Sequence, residues 1–105
     1  MSDGNYWLVR GRQAPQDLFA WSTFVDQSEF LWLDVTLVRD AAAWQSLWFE
    51  LEIVNGLALA EWETQGQPSD WSCHWRKVYQ RDAAMLVDEL LRLLMVSDCP
   101  AASVD

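Results

Sequence analysis

Residues 47–63 read LWFELEIVNGLALAEWE, and the Asn55-Gly56 pair at their centre constrains the fold more than any other feature of the chain. Asn-Gly suits a type I′ turn, which needs positive φ at both central residues. A two-residue loop then fixes the register, with Val54 opposite Leu57, Glu50 opposite Glu61 and Trp48 opposite Glu63. Side chains alternate along a strand, so such a hairpin has two distinct faces. Phe49, Leu51, Ile53, Ala58, Ala60 and Trp62 make a core face. Trp48, Glu50, Glu52, Val54, Leu57, Leu59, Glu61 and Glu63 make the other, where four glutamates sit among apolar side chains. The competing reading is one continuous helix over residues 41–54, because DAAAWQSLWFELEIV holds good helix formers and a usable cap. The β-rich WFELEIV and the turn after it favour the strand.

The rest of the chain supplies the other elements. Residues 5–10, NYWLVR, read as a short strand, and GRQAPQ as a loop. Pro15 suits the first position of a helix, and Leu18, Trp21, Phe24 and Val25 recur at helical spacing to about Asp26. EFLWLDVTLV, residues 29–38, alternates as a strand, with Leu31, Leu33, Val35 and Leu37 on one face. Asp40 is placed to cap a short helical turn over AAAWQ. After the hairpin, TQGQPSD (64–70) is a loop, and WSCHWRKVYQ (71–80) alternates as another strand. RDAAMLVDELLRLLMV (81–96) is a helix whose Ala83, Leu86, Val87, Leu90, Leu91 and Leu94 form one apolar stripe. Met85, Asp88, Glu89, Arg92 and Val96 lie opposite. The expected fold is α+β: an antiparallel β-meander of four to five strands with two helices packed on one face. Residues 1–105 are expected to form a single domain, with 98–105 a flexible tail.

Charge narrows the choice of partner. Sixteen Asp plus Glu stand against seven Lys plus Arg, a net charge of −9. That argues against nucleic acid and against an anionic membrane, both of which need a basic footprint. It favours a protein with a basic surface, though solubility alone is the plainer account. No secretory signal is visible at the N-terminus, and Asp88, Glu89 and Arg92 interrupt the longest apolar stretch. The expected location is the cytoplasm. Cys73 and Cys99 make no disulfide framework and are read as free thiols. The chain also carries eight tryptophans, each a large apolar body with one N–H to satisfy. Most belong in a core, and any left outside it would mark an interface.

No catalytic motif is present: there is no G-x-S-x-G, Walker A, G-x-G-x-x-G or H-E-x-x-H. His74, the one histidine, is most simply structural, since Cys73 beside it in a strand would point the other way. Cys73, His74 and Cys99 lack zinc-finger spacing, and no metal or cofactor is implied. Carboxylates on stiff strands supply no coordination shell for a divalent ion, and an open sheet face is no cleft for acid–base chemistry. Two readings of the glutamate face remain level. Either Arg76 or Lys77 neutralises it within the fold, or it docks a protein. In the docking reading Trp48, Leu57 and Leu59 are apolar anchors, while Glu50, Glu52, Glu61 and Glu63 supply charge complementarity. A homodimer through the same face is a further possibility, made awkward by opposed glutamates.

In size, charge, lack of catalytic apparatus and expected build, the chain resembles the immunity proteins of bacterial toxin–immunity systems. The resemblance covers composition and architecture, with no motif behind it. It implies a non-enzymatic inhibitor that masks the basic active-site cleft of a toxin domain. The alternative is a small acidic secretion chaperone or adaptor acting as a dimer, which oligomeric state would separate from a monomeric cleft plug. A small enzyme using His74 or the carboxylates is the third reading, and it requires a concave pocket beside them.

Overall fold

The computed structural model describes residues 3–95 and shows an all-α protein. Five helices follow in order: α1 (Asp3–Gln13), α2 (Leu18–Ser28), α3 (Ala41–Thr64), α4 (Ser72–Val78) and α5 (Gln80–Leu91). Short 3-10 turns at Ala14–Gln16 and Leu31–Leu33 join the first three. The expected meander does not form. Among the described residues the β pairing is a single isolated bridge between Val38 and Leu94. Cys99 and the proposed 98–105 tail lie outside the described residues.

The largest correction is the hairpin, which is helix throughout. Asp40 caps α3 as its sequence position suggests, its Oδ1 accepting from the Ala43 N–H at 3.0 Å. From there Trp44, Trp48, Leu51, Asn55, Ala58 and Trp62 follow at spacings of 4, 3, 4, 3 and 4 residues. That spacing is the two-turn repeat of a helix packing seam. In a hairpin these residues would be split between two faces. In a helix they form one row, and Trp44, Leu51, Asn55 and Ala58 are buried. Joining the row to the core outweighs the cost of Gly56 inside a helix, roughly 1 kcal/mol relative to alanine. The sharp turn comes ten residues later than expected. There Gly66 takes φ +89°, with its N–H donating to Glu63 O (3.1 Å) and the Gln67 N–H to Trp62 O (3.0 Å), the Schellman pattern of a helix end.

Three further expected strands are corrected for related reasons. Residues 5–10 are part of α1, which approaches α5 through a glycine: a Cβ on Gly11 would lie 2.5 Å from Leu91 Cδ2. Residues 29–38 are a chain of turns. Asp34 Oδ1 accepts from the Thr36 N–H at 2.9 Å and from its hydroxyl, and Leu37 and Val38 dip into the core. Residues 71–80 run from α4 into α5, because Trp71, Trp75 and Tyr79 form an i, i+4, i+8 row in which Tyr79 stacks on Trp75 at 5.7 Å and meets Trp71 at a tilt at 6.0 Å. The helical expectations fared better in kind than in bounds. Pro15 lies in the 3-10 turn before α2, which starts only at Leu18 with Asp17 as its cap through the Ala20 N–H (2.8 Å). α5 buries Ala83, Val87, Leu90 and Leu91 but ends at Leu91, short of the expected 96.

None of the eight tryptophans is exposed, and six indole N–H groups find protein acceptors. Trp44 and Trp48 on α3 donate to Ser28 O (3.1 Å) and Val25 O (2.8 Å), carbonyls in the last turn of α2. Helix ends leave such carbonyls short of partners, so one i, i+4 pair both packs and caps. Trp21 returns the contact by donating to Leu51 O (3.3 Å). Trp62 and Trp71 reach Pro68 O and Gln65 Oε1, and Trp75 reaches Pro15 O at 2.8 Å. With its inner row against α2 and α5, α3 leaves its opposite side to solvent.

Candidate functional site

At roughly 100° per residue, a helix sorts the expected docking residues into two groups. Trp48, Glu52, Leu59 and Glu63 share one flank of α3. Glu50, Leu57 and Glu61 share the other. Glu50 and Glu61 are no longer opposed; they stand about 16 Å apart along the axis. Of the three expected anchors, Trp48 is half-buried with its N–H committed to Val25, Leu59 is half-buried, and Leu57 is exposed.

A row missed by the strand reading runs obliquely between the flanks and reaches the second at Leu57. Phe49, Ile53 and Leu57, at i, i+4 and i+8, are 59%, 43% and 60% exposed. A hairpin would have buried Phe49 and Ile53 against helices. Glutamates rim this apolar ridge, with Glu50 and Glu61 along one side and Glu52 and Glu63 along the other. Among the described residues, Glu50, Glu52 and Glu63 have no ion pair.

Glu61 has local partners, though neither Arg76 nor Lys77 is among them. The Tyr79 hydroxyl donates to its Oε1 at 2.6 Å, and Gln65 Nε2 to its Oε2 at 3.4 Å. His74 Nε2 lies 3.1 Å from Oε2, an ion-pair distance without the alignment of a hydrogen bond. The Tyr79 bond and then His74 hold the Glu61 carboxyl below its usual range, against a smaller opposing effect of burial. Burial, reinforced by the bond to Glu61, pushes the Tyr79 hydroxyl up to about 12. Tyr79 therefore keeps its proton. His74 stacks on Trp71 with ring centroids 4.7 Å apart. The cluster ties the end of α3 to α4 and α5, with a histidine, a tyrosine and a glutamate as its parts. The helical spacings across α4 and the residues that flank it (Trp71 to His74 at i+3, Trp75 to Tyr79 at i+4) were the available sequence signal. Cys73 is exposed on α4, in helix rather than strand, and its thiol is free. Its sulfur lies 3.7 Å from Arg76 Nη2.

The third feature is a cleft of about 520 Å³ between α2 and α3, lined by Ser22, Thr23, Asp26, Glu29, Trp48, Glu52 and Asn55. Asn55, half of the supposed turn, is 8% exposed. Its Oδ1 has no hydrogen-bond partner among the described residues. An unpaired buried polar group costs about 1–3 kcal/mol. Ser22, Thr23 and Asp26 come from α2 and Glu29 from the residue that ends it, 23 or more residues before Glu52, at a separation where no motif links them. Among the described residues, no three His, Cys, Asp or Glu side chains converge as a metal site would require. No described helix is long and apolar enough to cross a membrane. No family model, curated protein or solved structure matches the chain, so these three features of its own surface define the candidate site.

Proposed function

We propose that this is a small acidic binding protein that docks a basic amphipathic segment of another protein on the outer side of α3, acting as an inhibitor in the manner of an immunity protein. One observation carries the reading: the exposed Phe49–Ile53–Leu57 ridge with glutamates along both edges. Apolar anchors supply the slow off-rate, and the acidic rim with a net charge of −9 supplies steering toward a basic partner. A second copy of the chain fits poorly, because it would bring like-charged rims together. The exposed free thiol of Cys73 suits a reducing compartment, and we place the protein in the cytoplasm.

The test uses two synthetic amphipathic helical peptides with the same leucine face, one rimmed by arginine and one by glutamate. The basic peptide should bind, more weakly as salt rises, and Ile53→Ser should remove the binding. Equal binding of the acidic peptide, or binding that survives Ile53→Ser, defeats the reading. A concentration-dependent dimer dissolved by Ile53→Arg would reassign the ridge to self-association. The inhibitory role itself is tested by co-expressing the chain with the product of its neighbouring gene and scoring rescue of growth.

A further inference from the structure

Six of the chain's seven Lys and Arg side chains are exposed, and Arg10 alone is half-buried. It reaches from α1 across to α2. Its Nη1 donates to the Tyr6 hydroxyl and its Nη2 to Gln27 Oε1. Its guanidinium carbon lies 5.5 Å from the centre of the Tyr6 ring and 5.9 Å from that of Trp7. All three partners are neutral. Among the described residues no carboxylate forms an ion pair with Arg10, in a chain that carries sixteen Asp plus Glu. Holding a charge partly out of water is costly unless it is paired. The fold therefore fixes one positive charge in place and gives it no counter-ion.

Arg10 lines a cleft of about 390 Å³ between α1 and α2. A guanidinium has five N–H donors; two are committed to Tyr6 and Gln27, which leaves three for a guest. Gln13, Gln16 and Thr23 add neutral donors to the same cleft, and the half-exposed Phe19 ring adds an apolar wall. One carboxylate, Asp17, also lines it, but its Oδ1 accepts from the Ala20 N–H at 2.8 Å as the cap of α2. These features select among anions. The planar fork of a guanidinium matches the two oxygens of a carboxylate. A phosphate monoester carries about 1.5–2 negative charges at pH 7, so a chain of net charge −9 repels it more strongly than a carboxylate. We infer that the α1–α2 cleft binds a carboxylate borne on an apolar group, with the carboxylate on Arg10 and the apolar part against Phe19. The inference does not depend on the outer ridge of α3, none of whose residues lines this cleft.

Such a group has two sources, the C-terminus of another polypeptide and a free organic acid. N-acetyl-phenylalanine stands for the first and 3-phenylpropionate for the second. Binding is followed by NMR at the Arg10 Nε–H and the Thr23 backbone amide. Saturable shifts at both positions are expected with the acids. None is expected with N-acetyl-phenylalanine amide, which keeps the shape and lacks the charge. Binding of N-acetyl-phenylalanine about tenfold tighter than 3-phenylpropionate assigns a polypeptide C-terminus, its amide group met by Gln13 or Gln16; equal or weaker binding assigns a free acid. Arg10→Gln should weaken the binding of either acid about tenfold, as expected for loss of one charge-assisted pair. Arg10→Lys keeps the charge and loses the fork, and should fall between. No saturable shift with either acid overturns the inference. So does equal binding of the amide, tighter binding of phenyl phosphate than of 3-phenylpropionate, or full affinity in Arg10→Gln. The amide and phosphate arms use the unaltered chain, so they decide the matter even where Arg10→Gln, which also removes the brace on Tyr6 and Trp7, does not fold.

Discussion

The two long sides of α3 carry much the same kind of residue and meet opposite fates. The inner row holds Trp44, Leu51 and Ala58 with no exposed surface at all, while Phe49, Ile53 and Leu57 on the outer row are about half exposed. Hydrophobicity does not separate them. The inner row is continuous over the helix, at the spacing that lets ridges of one helix seat in grooves of another. It also holds the residues with N–H groups to give, and α2 offers carbonyls to receive them. The outer row has pure hydrocarbon side chains and, among the described residues, no element to meet them. The side of a helix that joins the core is set by continuity of the row and by hydrogen bonds at its ends, more than by how greasy the residues are.

That contrast is best broken from the inside. Trp44→Ala removes a fully buried indole and leaves the Ser28 carbonyl unpaired, so urea melts should show a loss of about 3–5 kcal/mol. Ile53→Ser on the outer row serves as its control. A second measurement uses the residue between the rows. Gly56 has open space where a Cβ would go, so Gly56→Ala should stabilise the protein by about 0.5–1 kcal/mol. In a type I′ turn the same change would strain a positive φ and destabilise, so the sign alone decides between helix and hairpin. Ile53→Ser itself should shift stability by no more than about 0.5 kcal/mol; a loss as large as that of Trp44→Ala would mean that the outer row is covered.

The last effect to look for depends on pH. Glu61 sits on the outer rim but is tied inward to Tyr79 and His74. Because the fold holds its carboxyl below the ordinary value of 4.5, its contribution is present above about pH 4.5 and lost as acid protonates it in the fold. Glu61→Gln should therefore flatten the acid side of the stability profile, compared by urea melts at about pH 7 and about pH 4. An unchanged profile would return Glu61 to the free rim with Glu50, Glu52 and Glu63.

Part of this was legible in the sequence and part was not. α5 announces itself, because its apolar residues lie on one stripe and its charges opposite. The Asp40 cap and the 64–70 loop are likewise local chemistry. α3 hides, because apolar residues on both of its long sides mimic strand alternation, and Asn55-Gly56 then supplies a false turn. Whether that pair turns depends on Trp44, Leu51 and Ala58 finding α2 and α5, which is a tertiary fact. The glutamates were visible as a group, yet their division between two flanks followed only from the helix. Ser22, Thr23, Asp26 and Glu29 were invisible as partners of Glu52, since packing alone brings them together. Eight tryptophans were taken to leave some for an interface; four are buried and four are half-buried against the core.

The Pro15 carbonyl carries a different kind of consequence. It accepts from the Trp75 indole at 2.8 Å and from Gln80 Nε2 at 3.0 Å, partners 60 and 65 positions along the chain. Most of the other hydrogen bonds that tie elements together span far shorter loops. Withdrawing the 14–16 turn would thus cost α4 and α5 one hydrogen bond each, and loosening α4 would strip the turn of a donor. One oxygen atom joins the 14–16 turn to both α4 and α5, beside the packing of α1 and α3 on α5.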